Sequence, residues 1–205
     1  MDMKTPLLTP LSLLLFFLLS FSPKPSNASS LVLDTDGHEL QTGVGYYVFP
    51  VIRGRGGGLT LGASRSGTCP LAVVQEQNEV SNGLPVKFSP ADASTSAVHL
   101  STDLNVWFDA ATICVQSTVW RLGTYDETVE QYFIVSGGVL GNPGRDTVSN
   151  WFKIEKMDED YKLVFCPTVC DTCRVICRDV GVYVDGGTRR LALSDEPFRV
   201  MFKKA

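Results

Sequence analysis

Val180-Gly181-Val182-Tyr183-Val184-Asp185-Gly186-Gly187-Thr188-Arg189-Arg190-Leu191-Ala192-Leu193 decides the fold class. It reads as two short β-rich runs, Val180–Val184 and Arg190–Leu193, separated by the turn formers Asp185-Gly186-Gly187. The same grammar runs through the chain. Further β-rich segments lie at Tyr46–Ile52, Val86–Phe88, Val106–Phe108, Val119–Leu122, Tyr132–Val135, Trp151–Ile154, Lys162–Phe165 and Phe198–Phe202. Gly56-Gly57-Gly58, Asn82-Gly83, Gly137-Gly138 and Asn142-Pro143-Gly144 punctuate them, and no long window shows helical periodicity. The pattern predicts one all-β domain, and spacing alone does not choose between a sandwich and a barrel. Repeats are faint. Gly58-Leu59-Thr60-Leu61-Gly62 resembles Arg190-Leu191-Ala192-Leu193-Ser194, and aromatic pairs occur at Tyr46-Tyr47, Tyr132-Phe133 and Trp151-Phe152, without one fixed period.

The 205 residues include 18 Lys+Arg and 22 Asp+Glu, a net charge of −4, with 44% hydrophobic residues. That is a globular composition, and its mild acidity exerts no pull toward nucleic acid or an anionic membrane. Lys4 precedes the apolar run Leu7–Phe21, which is followed by Ser26-Asn27-Ala28. A short apolar core ending in small residues predicts a cleaved secretory signal over residues 1–28 and a mature domain over residues 29–205. The run is shorter than the ~20 residues that span a bilayer, so no membrane is expected for the mature form. Cleavage removes Asp2, Lys4 and Lys24 and leaves a net charge of −5. It also destroys the single N-glycosylation sequon, Asn27-Ala28-Ser29.

Six cysteines, all in the mature region, suit an oxidising compartment: Cys69, Cys114, Cys166, Cys170, Cys173 and Cys177. Six cysteines allow 15 pairings. The last four form a C-x3-C-x2-C-x3-C cluster in which proximity favours internal pairing, leaving Cys69 with Cys114. Four thiolates at this spacing also suit a metal centre, and Cys170-Asp171-Thr172-Cys173 has redox spacing. Secretion and the strand-like run that follows favour structural disulfides, so neither metal nor cofactor is expected.

Catalytic equipment is not evident. Neither His38 nor His99 belongs to a recognisable motif, and Gly62-Ala63-Ser64-Arg65-Ser66 lacks the last glycine of a nucleophile elbow. Gly54–Gly58 lacks the G-K-[ST] of a phosphate loop, and Asp158-Glu159-Asp160 lacks calcium-loop spacing and reads as a hairpin tip. A secreted β-rich scaffold without catalytic residues suits binding through an exposed loop, not enzymatic turnover.

Val32-Leu33-Asp34-Thr35-Asp36-Gly37-His38-Glu39-Leu40, followed by Tyr46-Tyr47-Val48, resembles the signature of the plant Kunitz soybean-trypsin-inhibitor family. The similarity continues through Cys69-Pro70, Ser117-Thr118-Val119-Trp120-Arg121, Trp151-Phe152-Lys153-Ile154, Tyr161–Pro167 and Arg189–Ser194, and the cysteine cluster is similar to that of the miraculin-like subgroup. The resemblance implies a β-trefoil of twelve strands, six in a barrel and six in a cap. It also implies disulfides Cys69–Cys114, Cys166–Cys177 and Cys170–Cys173. The activity it implies is inhibition of an endopeptidase, serine-type first and cysteine-type as the alternative, by a monomer secreted to the apoplast or routed to the vacuole.

In the family, a substrate-like loop between the first two cysteines enters the protease cleft. The matching stretch is Ser89-Pro90-Ala91-Asp92-Ala93-Ser94-Thr95-Ser96-Ala97, with the residue aimed at the S1 pocket near Ser94. No Arg or Lys lies between Lys87 and Arg121, so trypsin loses its anchor and small S1 pockets of elastase or subtilisin type are favoured. Thr42 stands where the family often has a loop-bracing asparagine. Arg55 and Met157 stand where the taste-modifying relative has a histidine and, nearby, an extra cysteine, so neither taste modification nor a disulfide-linked dimer is expected. The Q-x-W repeats of trefoil lectins are missing. The other readings are a seed storage or stress protein that keeps the fold without inhibition, and a small-ligand binder.

Overall fold

The computed structural model describes residues Leu31–Ala205, and the signal-segment reading of residues 1–28 lies outside the described residues. Twelve strands follow one another: β1 (Tyr46–Pro50), β2 (Leu59–Ser64), β3 (Gly67–Gln75), β4 (Val86–Pro90), β5 (Leu104–Phe108), β6 (Arg121–Asp126), β7 (Gln131–Val135), β8 (Lys153–Met157), β9 (Asp160–Phe165), β10 (Arg178–Asp185), β11 (Thr188–Ser194) and β12 (Arg199–Lys204). A short 3-10 helix, Arg145–Asn150, precedes β8. Strand alternation sets the inside and the outside. In β4, Val86, Phe88 and Pro90 are buried while Lys87 and Ser89 are half-exposed, as the two-residue period of an extended chain requires.

Six strands close on themselves. β1 pairs with β4 and β12, β4 with β5, β8 with β9, and β9 with β12. The seam between β5 and β8 is closed by reciprocal amide–carbonyl bonds between Leu104 and Phe152, 2.8 and 2.9 Å. The other six form hairpins β2–β3, β6–β7 and β10–β11, joined by the pairings β3–β7, β7–β11 and β3–β11. Barrel plus three-hairpin cap is a β-trefoil built from the units β1–β4, β5–β8 and β9–β12, which settles sandwich against barrel. The faint repeats are not its three-fold equivalents. Leu59–Gly62 in β2 and Arg189–Arg190 in β11 instead flank one strand, both meeting Gln75 and Val74 of β3.

Two aromatic chains fill the barrel. Tyr46, Phe88, Phe202 and Tyr161 follow one another at centroid spacings of 6.4, 5.6 and 5.6 Å. Phe108, Trp120, Phe152 and Phe165 do so at 5.5, 6.1 and 5.5 Å. Three of these pairs, Phe88–Phe202, Trp120–Phe152 and Phe152–Phe165, meet edge to face, a geometry that contributes about 1 kcal/mol each beyond the burial of their area.

Disulfides join Cys69 to Cys114, Cys166 to Cys177 and Cys170 to Cys173, leaving no free thiol among the described residues. The first ties β3 to the segment after β5 across 45 residues of sequence. In the chain-entropy account a closure of that size is worth about 4 kcal/mol. The other two are nested between β9 and β10.

Candidate reactive loop

Ser89 and Pro90 open the stretch proposed from sequence, but they belong to β4, paired with Asn105 and Leu104, and Pro90 is buried. Proline lacks only the donor, and as the last residue of the strand it can still offer its side chain to the core. The next amide, Ala91 N–H, continues the ladder by donating to the Asp103 carbonyl at 2.8 Å. The exposed loop therefore begins at Ala91. Asp92, Ala93, Ser94 and Ser96 face solvent; Ala91, Thr95 and Ala97 are half-buried.

The tip is a turn closed by its own polar groups. The Asp92 carbonyl accepts the Thr95 amide at 3.3 Å and the Thr95 hydroxyl at 2.6 Å. Its carboxylate Oδ1 accepts the Ser94 amide at 3.0 Å and the Ser94 hydroxyl at 2.7 Å. An aspartate folding back on a backbone amide two residues ahead is a common way to hold a short turn. These two Ser94 donors, the hydroxyl first and the amide second, hold the Asp92 carboxyl below its ordinary range. Because the value in the folded state is depressed, the turn keeps this contribution at neutral pH and loses it as pH falls through the lowered value. The Ser94 amide resonance should therefore titrate with a midpoint below the usual aspartate value of about 3.9. A midpoint at or above that value would show the turn to be open.

The second support comes from far away in sequence. The Thr42 hydroxyl donates to the Thr95 carbonyl at 3.2 Å, and the Thr42 amide donates to the Ser96 carbonyl at 2.8 Å. Gln41 bridges to Ala97, and Gly43 N–H donates to the Phe88 carbonyl at 3.0 Å. The segment 41–43 thus runs beside the loop from its base to its far side, and Thr42 does the bracing with one hydroxyl where an amide has two groups to offer. Thr42→Ala should loosen the loop by about 1 kcal/mol, the worth of one such bond. That corresponds to about fivefold faster cleavage of the loop by excess subtilisin; an unchanged cleavage rate would remove Thr42 from the brace.

A third support was not visible in the sequence. Asp103, whose carbonyl takes the Ala91 amide, also accepts the Thr168 amide at 3.1 Å and its hydroxyl at 2.6 Å. Lys153 Nζ stands 3.2 Å from that hydroxyl. Thr168 follows Cys166, so the loop base leans on the disulfide-held segment. No local pattern marks Asp103 or Thr168, because their partners lie 65 residues apart.

Charge is distributed as the sequence suggested. Lys87 lies in β4 opposite Trp107 and pairs with Asp109 at 2.8 Å, away from the loop. The glycine run at 54–58 is a packed turn, not a phosphate cradle: Gly57 and Gly58 donate to the Glu76 and Ser81 carbonyls, and a side chain at Gly58 would meet the Asn82 carbonyl oxygen at 2.0 Å. Asp158 and Asp160 flank the β8–β9 turn and pair with Arg199 at 3.4 and 2.8 Å. Asp34, Asp36 and His38 also come together, but the Asp34 Oδ1 accepts the Asp36 and His38 amides at 3.0 and 2.8 Å and so serves a turn.

Residues 32–204 match the legume Kunitz family model, described as trypsin and protease inhibitor. The chain is 57% identical over 174 residues to Kunitz trypsin inhibitor 5 of Arabidopsis thaliana, covering 85% of each. It is 50% identical to miraculin of Synsepalum dulcificum, covering 96% of this chain and 97% of the other. Among solved structures, the bifunctional alpha-amylase/subtilisin inhibitor of rice superposes with a TM-score of 0.70 at 40% identity, over 87% of this chain and all of the other. With the closed barrel, the three-hairpin cap and the braced loop, these matches place the chain in the Kunitz family of protease inhibitors.

Proposed function

We propose that this chain is a secreted, monomeric inhibitor of endopeptidases that works without a cofactor and is not itself an enzyme, and that its Ala91–Ala97 loop enters a protease cleft with small residues at the tip. The observation that carries this reading is the double bracing of an exposed tip, by Asp92 from within and by Thr42 from across the barrel rim. A loop already held in place loses little conformational freedom on docking, so more of the contact energy appears as affinity. Ala93 and Ser94 suit a small, uncharged S1 pocket of elastase or subtilisin type; a trypsin-type pocket, with its buried carboxylate, finds no cation on this tip. The subtilisin named for the rice relative is an enzyme of the favoured class. Six cysteines in three disulfides support an oxidising, extracytosolic location.

A panel of trypsin-, chymotrypsin-, elastase-, subtilisin- and papain-like enzymes tests the proposal. Stoichiometric inhibition of an enzyme with a small S1 pocket is expected, with trypsin inhibited weakly, and the effect should vanish when Ala93–Ser96 is replaced by glycines. No inhibition anywhere on the panel would overturn it.

A further inference from the structure

The cap has two faces. Val73 in β3, Ile134 in β7 and Leu191 in β11 belong to the barrel core, so strand alternation turns their neighbours Ala72, Phe133, Val135 and Arg190 to the opposite side. There these four line a cavity of about 290 Å3 together with the β2–β3 turn and β6. Part of its lining is apolar, and the Phe133 ring is fixed there against Tyr183, edge-on at 5.6 Å between centroids. The rest is ionic: Arg65, Arg121, Asp126 and Arg190. Arg65 is fully engaged, pairing with Asp126 at 2.9 Å and with Asp185. Arg190 is only 9% exposed yet loosely held, with the Asp185 carboxylate and the Ala63 carbonyl both at 3.4 Å and its buried Nε without a partner. The Arg121 guanidinium makes no hydrogen bond or ion pair among the described residues. Three guanidiniums against two carboxylates, Asp126 and Asp185, leave one positive charge over.

We propose that this cavity binds a small aromatic monocarboxylate, whose carboxylate accepts hydrogen bonds from Arg121 and Arg190 and whose ring lies against Phe133 and Val135. A buried cation lacking part of its partners is costly, and a ligand oxygen supplies what the chain does not. One negative charge cancels the single excess positive charge. The planar guanidinium fork matches a carboxylate. The apolar part of the lining calls for an apolar body, and a ring fills it without internal torsions to freeze on binding. A volume at the lower edge of the ~300–1,000 Å3 usual for ligand cavities suits a single-ring acid rather than a larger molecule. An inorganic anion would leave Phe133 and Val135 uncovered, and a neutral ring would leave Arg190 as poorly partnered as before.

The site lies on the cap and uses no residue of the 91–97 loop, so it stands or falls apart from protease inhibition. Binding of trans-cinnamate to the full chain is measured by titration calorimetry, beside cinnamyl alcohol, which has the ring without the charge, and sulfate, which has charge without the ring. Cinnamate should bind one to one, and the alcohol and sulfate more weakly. The Gly123 and Thr124 amide resonances should follow the same saturation curve, while those of residues 91–97 stay in place. Arg121→Gln should weaken cinnamate binding by about tenfold or more, the scale for one hydrogen bond to a charged group. Arg121 is half-exposed and unpaired, so the fold should tolerate the change, checked by an unchanged urea midpoint. Arg55→Gln removes an equal charge from the exposed turn after β1 and should leave the affinity unchanged. No saturable cinnamate binding, or resonances that move elsewhere instead, would overturn the proposal. So would the alcohol or sulfate binding as tightly as cinnamate, full affinity in Arg121→Gln, or an equal loss in Arg55→Gln.

Discussion

Ser94→Arg is expected to turn a poor trypsin ligand into a strong one, lowering the inhibition constant by about 100-fold or more. The wild-type tip offers trypsin no cation: Lys87 is held in the barrel wall by Asp109, and the next basic residue, Arg121, is in β6. A charge-assisted pair desolvated within an S1 pocket is worth roughly 2–5 kcal/mol by the cost of removing one partner, and each ~1.4 kcal/mol is a factor of ten. The scaffold asks little in return. Ser94 is exposed, and its amide still reaches the Asp92 carboxylate after the hydroxyl is gone. Ala93→Arg and Thr95→Arg, made in parallel, locate the reactive bond, since the position with the largest gain is the one that faces S1. Should none of the three variants inhibit trypsin better than the parent, the 91–97 loop is not the segment that enters the cleft.

Phe88→Ala should cost about 3–5 kcal/mol in stability, the usual range for emptying a buried aromatic site. Phe88 is wholly buried and lies against Tyr46 and edge-on to Phe202, thereby linking β4 to β1 and β12. A loss of that size is a large share of the 5–15 kcal/mol that holds a typical domain together. The damage should extend to the loop, because β4 ends where the loop begins and the Phe88 carbonyl anchors Gly43. Lys87→Ala is the control. Its ion pair with Asp109 is partly solvated, and it should cost under about 1 kcal/mol. Urea denaturation with disulfides intact measures both; a Phe88→Ala loss no larger than that of Lys87→Ala would refute the account of the core.

The run that decided the fold class lies within β10 and β11, and its Asp185-Gly186-Gly187 turn falls where the two strands meet. Strands with uninterrupted β-branched and aromatic residues announce themselves. β2 and β3 did not, since Gly62 interrupts one and Cys69-Pro70 the other, and both interruptions are tolerated by a hairpin in the cap. Val119 and Trp120 were read as part of a strand and instead precede β6, bridging back to β5 through Trp107 and Val106. The three-fold symmetry came from the family resemblance rather than from periodicity, because it resides in backbone pairing, and the look-alike peptides proved to be neighbours of one strand. The stretch matched through the family resemblance lies at the surface between β4 and β5, apart from the two residues that belong to β4. Its Asp103–Thr168 prop was not legible, because tertiary folding alone brings those groups together.

Tyr46 pairs with Lys204, so the barrel cannot close until β12 is available. A ribosome delivers β1 first and β12 last, and throughout that interval β1 presents an unpaired edge, the kind of surface on which chains aggregate. The Cys69–Cys114 disulfide joins two points that both precede β6, so it does nothing to cover that edge. Loss of the β12 residues that pair with β1 should therefore be felt as failure to mature rather than as a weakened finished product.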